Sequence, residues 1–536
     1  MRKHMMRFGW RGVFVAGLLG ALATKCRPHE GTAGAAAPDT ADKTNAAPPA
    51  AQYQGTAPVA ERETPPPDGI TPEWSFPKIN HSTLGNGLAL RVVERHRLPL
   101  VELRLVLLSG QATDGAKSGV AMLTGEMLKV GGTGQQTSRQ LLDRVESLGS
   151  SLQVITSRDA TTVSMAVTKQ HLQTAIGILS DVVQKPRFLP DEYRKLKRRE
   201  MDRTETAAHS DPGWAASMVL YRELFELPSS VHPYAAYDAT SKEIEQVMLP
   251  DCKAWYAQHV TPQNAFLVVA GDVTPSEVGP LAAESFGKWR GSKPVSPTFF
   301  RPVAPEKLEL FLVDRPGSTQ AEIFVGTLGP ERSSSEWAPI NVANQILGGG
   351  VAGRLFLDVR EQRSLAYRSF SFVDSVAHGP SPVVLRAGTQ TAKAGLALQA
   401  LLEHVHKLGS EPPTADEQRI ATRFLSDVFL LKLETVGQLA QMTADLGVLG
   451  LADDYYDAYR KEVASMTTAQ VQQTSSKVFN AQRTVAVVSG DAQILSKPLS
   501  HFATVNVIDP KKGFATSRTV AQDPTAPIEL DRQQGM

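Results

Sequence analysis

The chain has 536 residues, too many for one hydrophobic core, so two or more globular domains are expected. Its 56 Lys and Arg nearly balance 55 Asp and Glu, and a formal charge of +1 offers no positive field to release phosphate counterions, which excludes a nucleic-acid partner. With 42% hydrophobic residues the composition is that of an ordinary globular protein.

Met1 to Arg11 carries four Lys or Arg side chains and Gly12 to Ala23 is a short apolar run, the pattern of a secretory signal peptide and too short for a comfortable membrane span. Two processing routes compete. Ala21-Leu22-Ala23 offers an A-x-A cleavage site, while Cys26 is a candidate for lipidation as in a bacterial lipoprotein, although Lys25 before it is a poor lipobox residue. Residues 1–26 are therefore read as the signal segment. The protein is expected to be exported, periplasmic or envelope-attached, meeting a membrane only through such a lipid anchor. Once Cys26 is lost or lipidated, Cys252 alone remains and no internal disulfide is available. Residues 27–75, rich in Ala, Pro, Thr and Gly with almost no aromatic side chains, cannot bury enough apolar surface to offset the entropy of ordering and read as a disordered linker.

The folded part is expected from Phe76, where LGNGLALRVVERHRLPLVELRLVLLSG alternates apolar and polar residues around Asn86-Gly87: a strand, a tight turn and further strand. The chain then repeats itself. LLSG at Leu107 to Gly110 is answered by GTLG at Gly326 to Gly329, and LVVAGD at Leu267 to Asp272 by AVVSGD at Ala486 to Asp491, both pairs 219 residues apart. Between these anchors each half offers a helix ending in glycines, a β pair, an amphipathic helix (His171 to Val183; Ala394 to Leu408) and a second long helix. The expected domains are 76–291 and 307–502, joined by an extended linker at 292–306 that carries four prolines, with a tail over 503–536.

Neither a G-x-S-x-G elbow nor a Walker loop is present, and Gly348 to Gly350 lacks the GK[ST] of a phosphate cradle. His404 and His406, two apart on a helix, point in different directions and read as solvated features beside Glu403. Cys252 sits in an ordinary helix.

Taken as an ordered set, SGVAMLTGEMLKVGGTG at 118–134, SRDATTVSMAV at 157–167, HPYAAYDATSKEIEQV at 232–247 and LGGGVAGRLFLDVREQRSLAYRSFS at 347–371 resemble the pitrilysin/insulinase family of zinc peptidases, the mitochondrial-processing-peptidase type included. The resemblance implies an α+β fold of two homologous half-clam domains, each a mixed or antiparallel β-sheet covered by helices. In that family two half-clams enclose a chamber for unfolded peptides, one bringing zinc and the other substrate-binding groups.

The family's zinc helix carries H-x-x-E-H, in which two His four apart grip one metal and the Glu activates its water. Here those positions read Met122, Leu123, Thr124, Gly125, Glu126. The family's third ligand corresponds to Glu200, 74 residues past Glu126 in KRREMDR. Met122 and Gly125 supply neither ligand nor base, so no metal is expected in this chain. The plain structural reading packs Met122 between helix and sheet, leaves Glu126 solvated or paired with a cation, and salt-bridges Glu200 to the arginines beside it.

In the second half, Arg360 and Tyr367 match the family's Arg and Tyr that reach the substrate from opposite the zinc, holding a peptide carbonyl and stabilising the oxyanion. The plain alternative is a surface Arg and a Tyr at a strand start. Together these residues imply a non-catalytic, substrate-positioning subunit of an exported heterodimeric zinc endopeptidase, whose partner carries intact H-x-x-E-H and holds the zinc. The alternative is a catalytically inert peptide-binding or scaffold protein of the same fold.

Overall fold

The computed structural model describes residues 74–227 and 230–529. The expected signal segment with Cys26, the expected linker as far as residue 73 and the end of the expected tail lie outside the described residues.

Two mixed sheets form the frame. The first contains β1 (Ile79–Thr83), β2 (Ala89–Glu94), β3 (Leu100–Leu107), β4 (Gln153–Thr156), β5 (Thr161–Thr168) and β6 (Ala265–Gly271), in the order β1-β2-β6-β3-β5-β4. The second contains β7 (Glu309–Asp314), β8 (Gln320–Glu331), β9 (Ala366–Val373), β10 (Pro380–Gln390), β11 (Val485–Gly490), β12 (Val505–Asp509) and β13 (Ala515–Val520), in the order β13-β12-β7-β11-β8-β10-β9. The repeat read from the sequence is therefore a repeat of topology, since β7, β11, β8, β10 and β9 follow one another as β2, β6, β3, β5 and β4 do. In each half the late strand returns to the centre and pairs in parallel, β6 with β2 and β11 with β7. That position is covered on both faces, and AFLVVAG and VAVVSG are accordingly buried along their whole length.

Phe502 does not end the fold, as the expected tail from 503 had it. β12 extends the second sheet by pairing in parallel with β7, and β13 pairs with β12. Val505, Val507 and Ile508 are buried there, closing the flank of β7 that the first sheet closes with β1. The signal was an apolar and polar alternation in VNVID too short to stand out. β13 is polar and exposed, as suits an edge strand.

Helix starts follow local chemistry. Thr137, Thr240, Thr274, Thr414, Thr435 and Thr467 each accept the N–H three residues on, and the Gln or Glu at that position accepts the Thr N–H in return.

Each half lends a helix to the other. The Pro212–Leu224 helix of the first half lies on β8 and β11 of the second sheet, burying Ala215, Ala216, Val219, Leu220 and Leu224 with Phe324 and Val487. Reciprocally, the Val436–Val448 helix of the second half lies on β3 and β6, with Gly447 so close to Phe266 that a Cβ there would sit 2.5 Å from the ring. Where the hairpin tips meet, buried polar groups join the halves. Arg158 in the β4–β5 turn pairs with Asp374 beyond β9 at 2.5 Å, Tyr221 OH donates to the same carboxylate, and the guanidinium lies 4.1 Å from the Tyr221 ring centre. Beside it, Asp159 accepts from Tyr234 OH and from Ala377 N at 3.0 Å.

Candidate functional site

The zinc-motif positions lie on the Val120–Val130 helix, which packs against β4 and the Pro190–Ser210 helix. Asp114 fixes its start, accepting from Gly119 N at 2.6 Å and Ala121 N at 2.8 Å. Met122 is half-buried against the first core. Gly125 faces the sheet, and a Cβ there would meet Thr156 Oγ1 at 2.4 Å, so this position has no room for a general base. Glu126 and Glu200 do come together, held by one arginine. Arg199 reaches Glu126 Oε2 at 3.3 Å and Glu200 Oε1 at 3.1 Å, and Arg203 takes Glu200 Oε2 at 2.8 Å while also binding Asp238 at 3.0 Å. Both Glu200 oxygens are thus occupied by guanidiniums, which join the two helices electrostatically as a cation between carboxylates would. These residues do not fit zinc. The donor set is two engaged carboxylates and a thioether, without imidazole or thiolate. Among the described residues no group of three His, Cys, Asp or Glu is placed to hold a metal ion.

Arg360 and Tyr367 share an open cleft of about 770 Å³ in the second half. Three irregularities within a dozen residues aim them there. Arg360 sits on a π-helix, Leu355–Gln362, where Arg363 N donates to Asp358 O five residues back. Ser364 then takes a left-handed backbone, φ 50°. Finally Gly388 faces Arg368 while its neighbour Thr389 faces Ala366, so Tyr367 is the extra residue of a β-bulge and projects from the edge strand, 79% exposed. The Arg360 guanidinium carbon lies 4.9 Å from the Tyr367 ring centre and 4.6 Å from that of Phe356.

Other residues at this cleft escaped the sequence reading. Glu322, Gly388 and Arg368 stand opposite one another on β8, β10 and β9. The missing side chain at 388 lets Arg368 span the middle strand to Glu322 Oε1 at 2.5 Å, while Arg386 takes Oε2 at 2.9 Å. Sequence separation hid this row; only the strand register reveals it. His404 also differs from expectation. The Ala394–Ser410 helix turns it inward with Leu401 and Leu408, leaving it 6% exposed, and His406 outward. Its Nε2 lies 2.7 Å from Asp358 Oδ2 on the π-helix, and Arg363 braces the same carboxylate at 3.0 Å.

Two repeated sheet-and-helix units, with the ligand positions of an inverted zincin helix closed by arginines and packing, define a peptidase-like chain whose zinc-motif positions do not form a metal site. Residues 92–219 match the family described as insulinase (peptidase family M16), and residues 247–423 match the peptidase M16 inactive domain. The chain belongs to the M16, or insulinase, family and carries its N-terminal and inactive-type C-terminal domains. A Mycobacterium leprae protein described as an uncharacterized zinc protease is 26% identical over 425 residues, covering 76% of this chain and 91% of its own. A Helicobacter pylori protein described as a non-peptidase homolog is 23% identical over 383 residues, covering 70% and 86%. Among solved structures, a peptidase M16 inactive domain from Pseudomonas fluorescens superposes with a TM-score of 0.71 at 24% identity, over 77% of this chain and 98% of that one. A Helicobacter pylori protease gives 0.71 at 18%, over 77% and 99%. These superpositions establish the fold.

Proposed function

We propose that this chain is a zinc-less, exported subunit of a heterodimeric M16 endopeptidase, completing the chamber of a partner that carries intact H-x-x-E-H and the zinc. The observation that carries the reading is an asymmetry between the halves. Gly125 and Arg199 close the metal positions of the first half, while in the second Arg360 and Tyr367 converge on one cleft. In the complex, Arg360 holds a backbone carbonyl of an unfolded peptide and the Tyr367 hydroxyl donates to the oxyanion formed at the partner's metal centre. Export, by the basic and apolar N-terminus, puts both chains in the periplasm or on the envelope, with Cys26 as the candidate lipid attachment.

The test is a native pull-down of the tagged protein from an envelope extract, with sequencing of the co-purifying chain. A partner of similar size bearing H-x-x-E-H is the expected outcome. In the complex, Tyr367→Phe should then lower kcat by about 10²-fold, the usual effect of losing one oxyanion donor. Recovery of the chain alone or with itself would move the reading to an inert peptide-binding or scaffold role, in keeping with the Helicobacter pylori relative described as a non-peptidase homolog.

A further inference from the structure

The charges of the cleft say which peptides it takes. Glu322, 8% exposed in its side chain, is shared by Arg368 and Arg386, so two guanidiniums answer one carboxylate and a positive charge is left over. Lys393, also lining the cleft, donates to a carbonyl, Ser364 O at 3.0 Å, which leaves its charge unneutralised. Arg360 is balanced by its neighbour Glu361 at 3.2 Å. The cleft is therefore net cationic although the chain as a whole is nearly neutral. Gly388 sets the depth of its floor, because the Arg368–Glu322 pair crosses there: a Cβ on Gly388 would stand 3.0 Å from Glu322 Oε1 and 3.8 Å from Arg368 Nη2. A glycine inside a strand at such a place marks close approach of another group, here the ion pair that holds the Arg368 guanidinium at the cleft. The exposed Tyr367 ring at the rim supplies a flat apolar surface for an extended chain.

We propose that this cleft selects peptides by a carboxylate, which Lys393 and Arg368 receive while the neighbouring backbone lies against Arg360 and Tyr367. The inference rests on the peptide-positioning role given above and adds the chemistry of the preferred substrate. Two sources present that group, an Asp or Glu side chain within an unfolded peptide and a free C-terminus.

The experiment measures fluorescence anisotropy of the purified full chain with four short, labelled Gly/Ser/Ala peptides. One is amidated with a central Glu-Glu, one is neutral with a free C-terminus, one is neutral and amidated, and one is amidated with a central Lys-Lys. At least one carboxylate peptide should bind about tenfold tighter than the neutral amidated one, the worth of one charge-assisted hydrogen bond, and the stronger of the two identifies the source. The advantage should shrink severalfold in Lys393→Gln and on raising salt. Equal binding of the carboxylate and neutral peptides, preference for Lys-Lys, or an advantage that survives in Lys393→Gln would each overturn the inference and leave peptide binding standing. Failure of all four peptides to bind would overturn both readings.

Discussion

Arg158 and Asp374 form a buried ion pair, 2.5 Å apart, between the hairpin tips of two sheets separated by more than two hundred residues of chain. Each charge is tolerable in the interior because the other is there, with Tyr221 OH completing the shell of the carboxylate.

Removing one partner strands the other. Asp374→Leu should lower unfolding stability by about 3–5 kcal/mol, whereas Arg158→Met with Asp374→Leu should cost less than the single change, because no unpaired charge is left inside. Chemical denaturation of the three variants and the parent decides it. A double variant as unstable as the sum of both singles would show that the two residues act independently.

The zinc motif cannot be rebuilt by ligands alone. Any side chain at position 125 meets Thr156 Oγ1, so Gly125→Ala should lower stability by about 1–3 kcal/mol, and Thr156→Ala in the same chain, which removes that oxygen, should recover part of the loss. Met122→His, Gly125→Glu and Glu126→His together should yield a less stable protein with well under one zinc per chain by elemental analysis. Stoichiometric zinc in that triple variant would refute this account of the site.

Two buried groups give opposite pH dependences. Burial lowers the His259 imidazole from 6.5 to about 4. Between those values the unfolded chain is the more protonated, so this residue's contribution is present above pH 6.5 and is lost as the pH falls toward 4. Burial raises the Asp114 carboxyl from 3.8 to about 7, outweighing the bonds from Ala121 and Gly119. Here the folded chain is the more protonated, so stability is fullest below pH 3.8 and declines as the pH rises to about 7. Subtracting the pH profiles of His259→Gln and Asp114→Asn from that of the parent should therefore give slopes of opposite sign, each no steeper than about 1.4 kcal/mol per pH unit.

His404 positions the π-helix through Asp358 and touches no substrate. His404→Leu should leave the global unfolding midpoint within a few degrees of the parent, yet speed amide hydrogen exchange across residues 355–363 and weaken peptide binding at the cleft. Unchanged exchange there would mean that Arg363 alone suffices to hold Asp358.

Much of the architecture was legible because it rests on short-range or periodic signals. The 219-residue repeat, Asn86-Gly87 between β1 and β2, and the amphipathic stretch at Ala394 to Leu408 all correspond to elements of the structure. The missing imidazole and carboxylate at the motif positions were legible too, since Met122 and Gly125 declare their chemistry by residue type. What stayed hidden depends on pairing between distant strands. Glu322, Arg368, Gly388 and Lys393 converge only once β8, β10 and β9 are in register. The inward turn of His404 follows from the phase of one helix against one sheet. β12 is a strand because β7 has a flank to cover, a demand that VNVID does not express by itself.

The exchange of helices between the halves makes each half depend on the other. With the Val436–Val448 helix gone, the apolar face of β3 and β6 is bare, and without Pro212–Leu224 the same befalls β8 and β11, so a cut in the proline-rich connector yields two fragments that are each incomplete. Co-expressed, those fragments carry the means to reassemble. One unit by itself would leave its sheet bare unless a second unit supplied the missing helix, so the two halves of this chain shelter each other within a single polypeptide as two copies in an obligate dimer would.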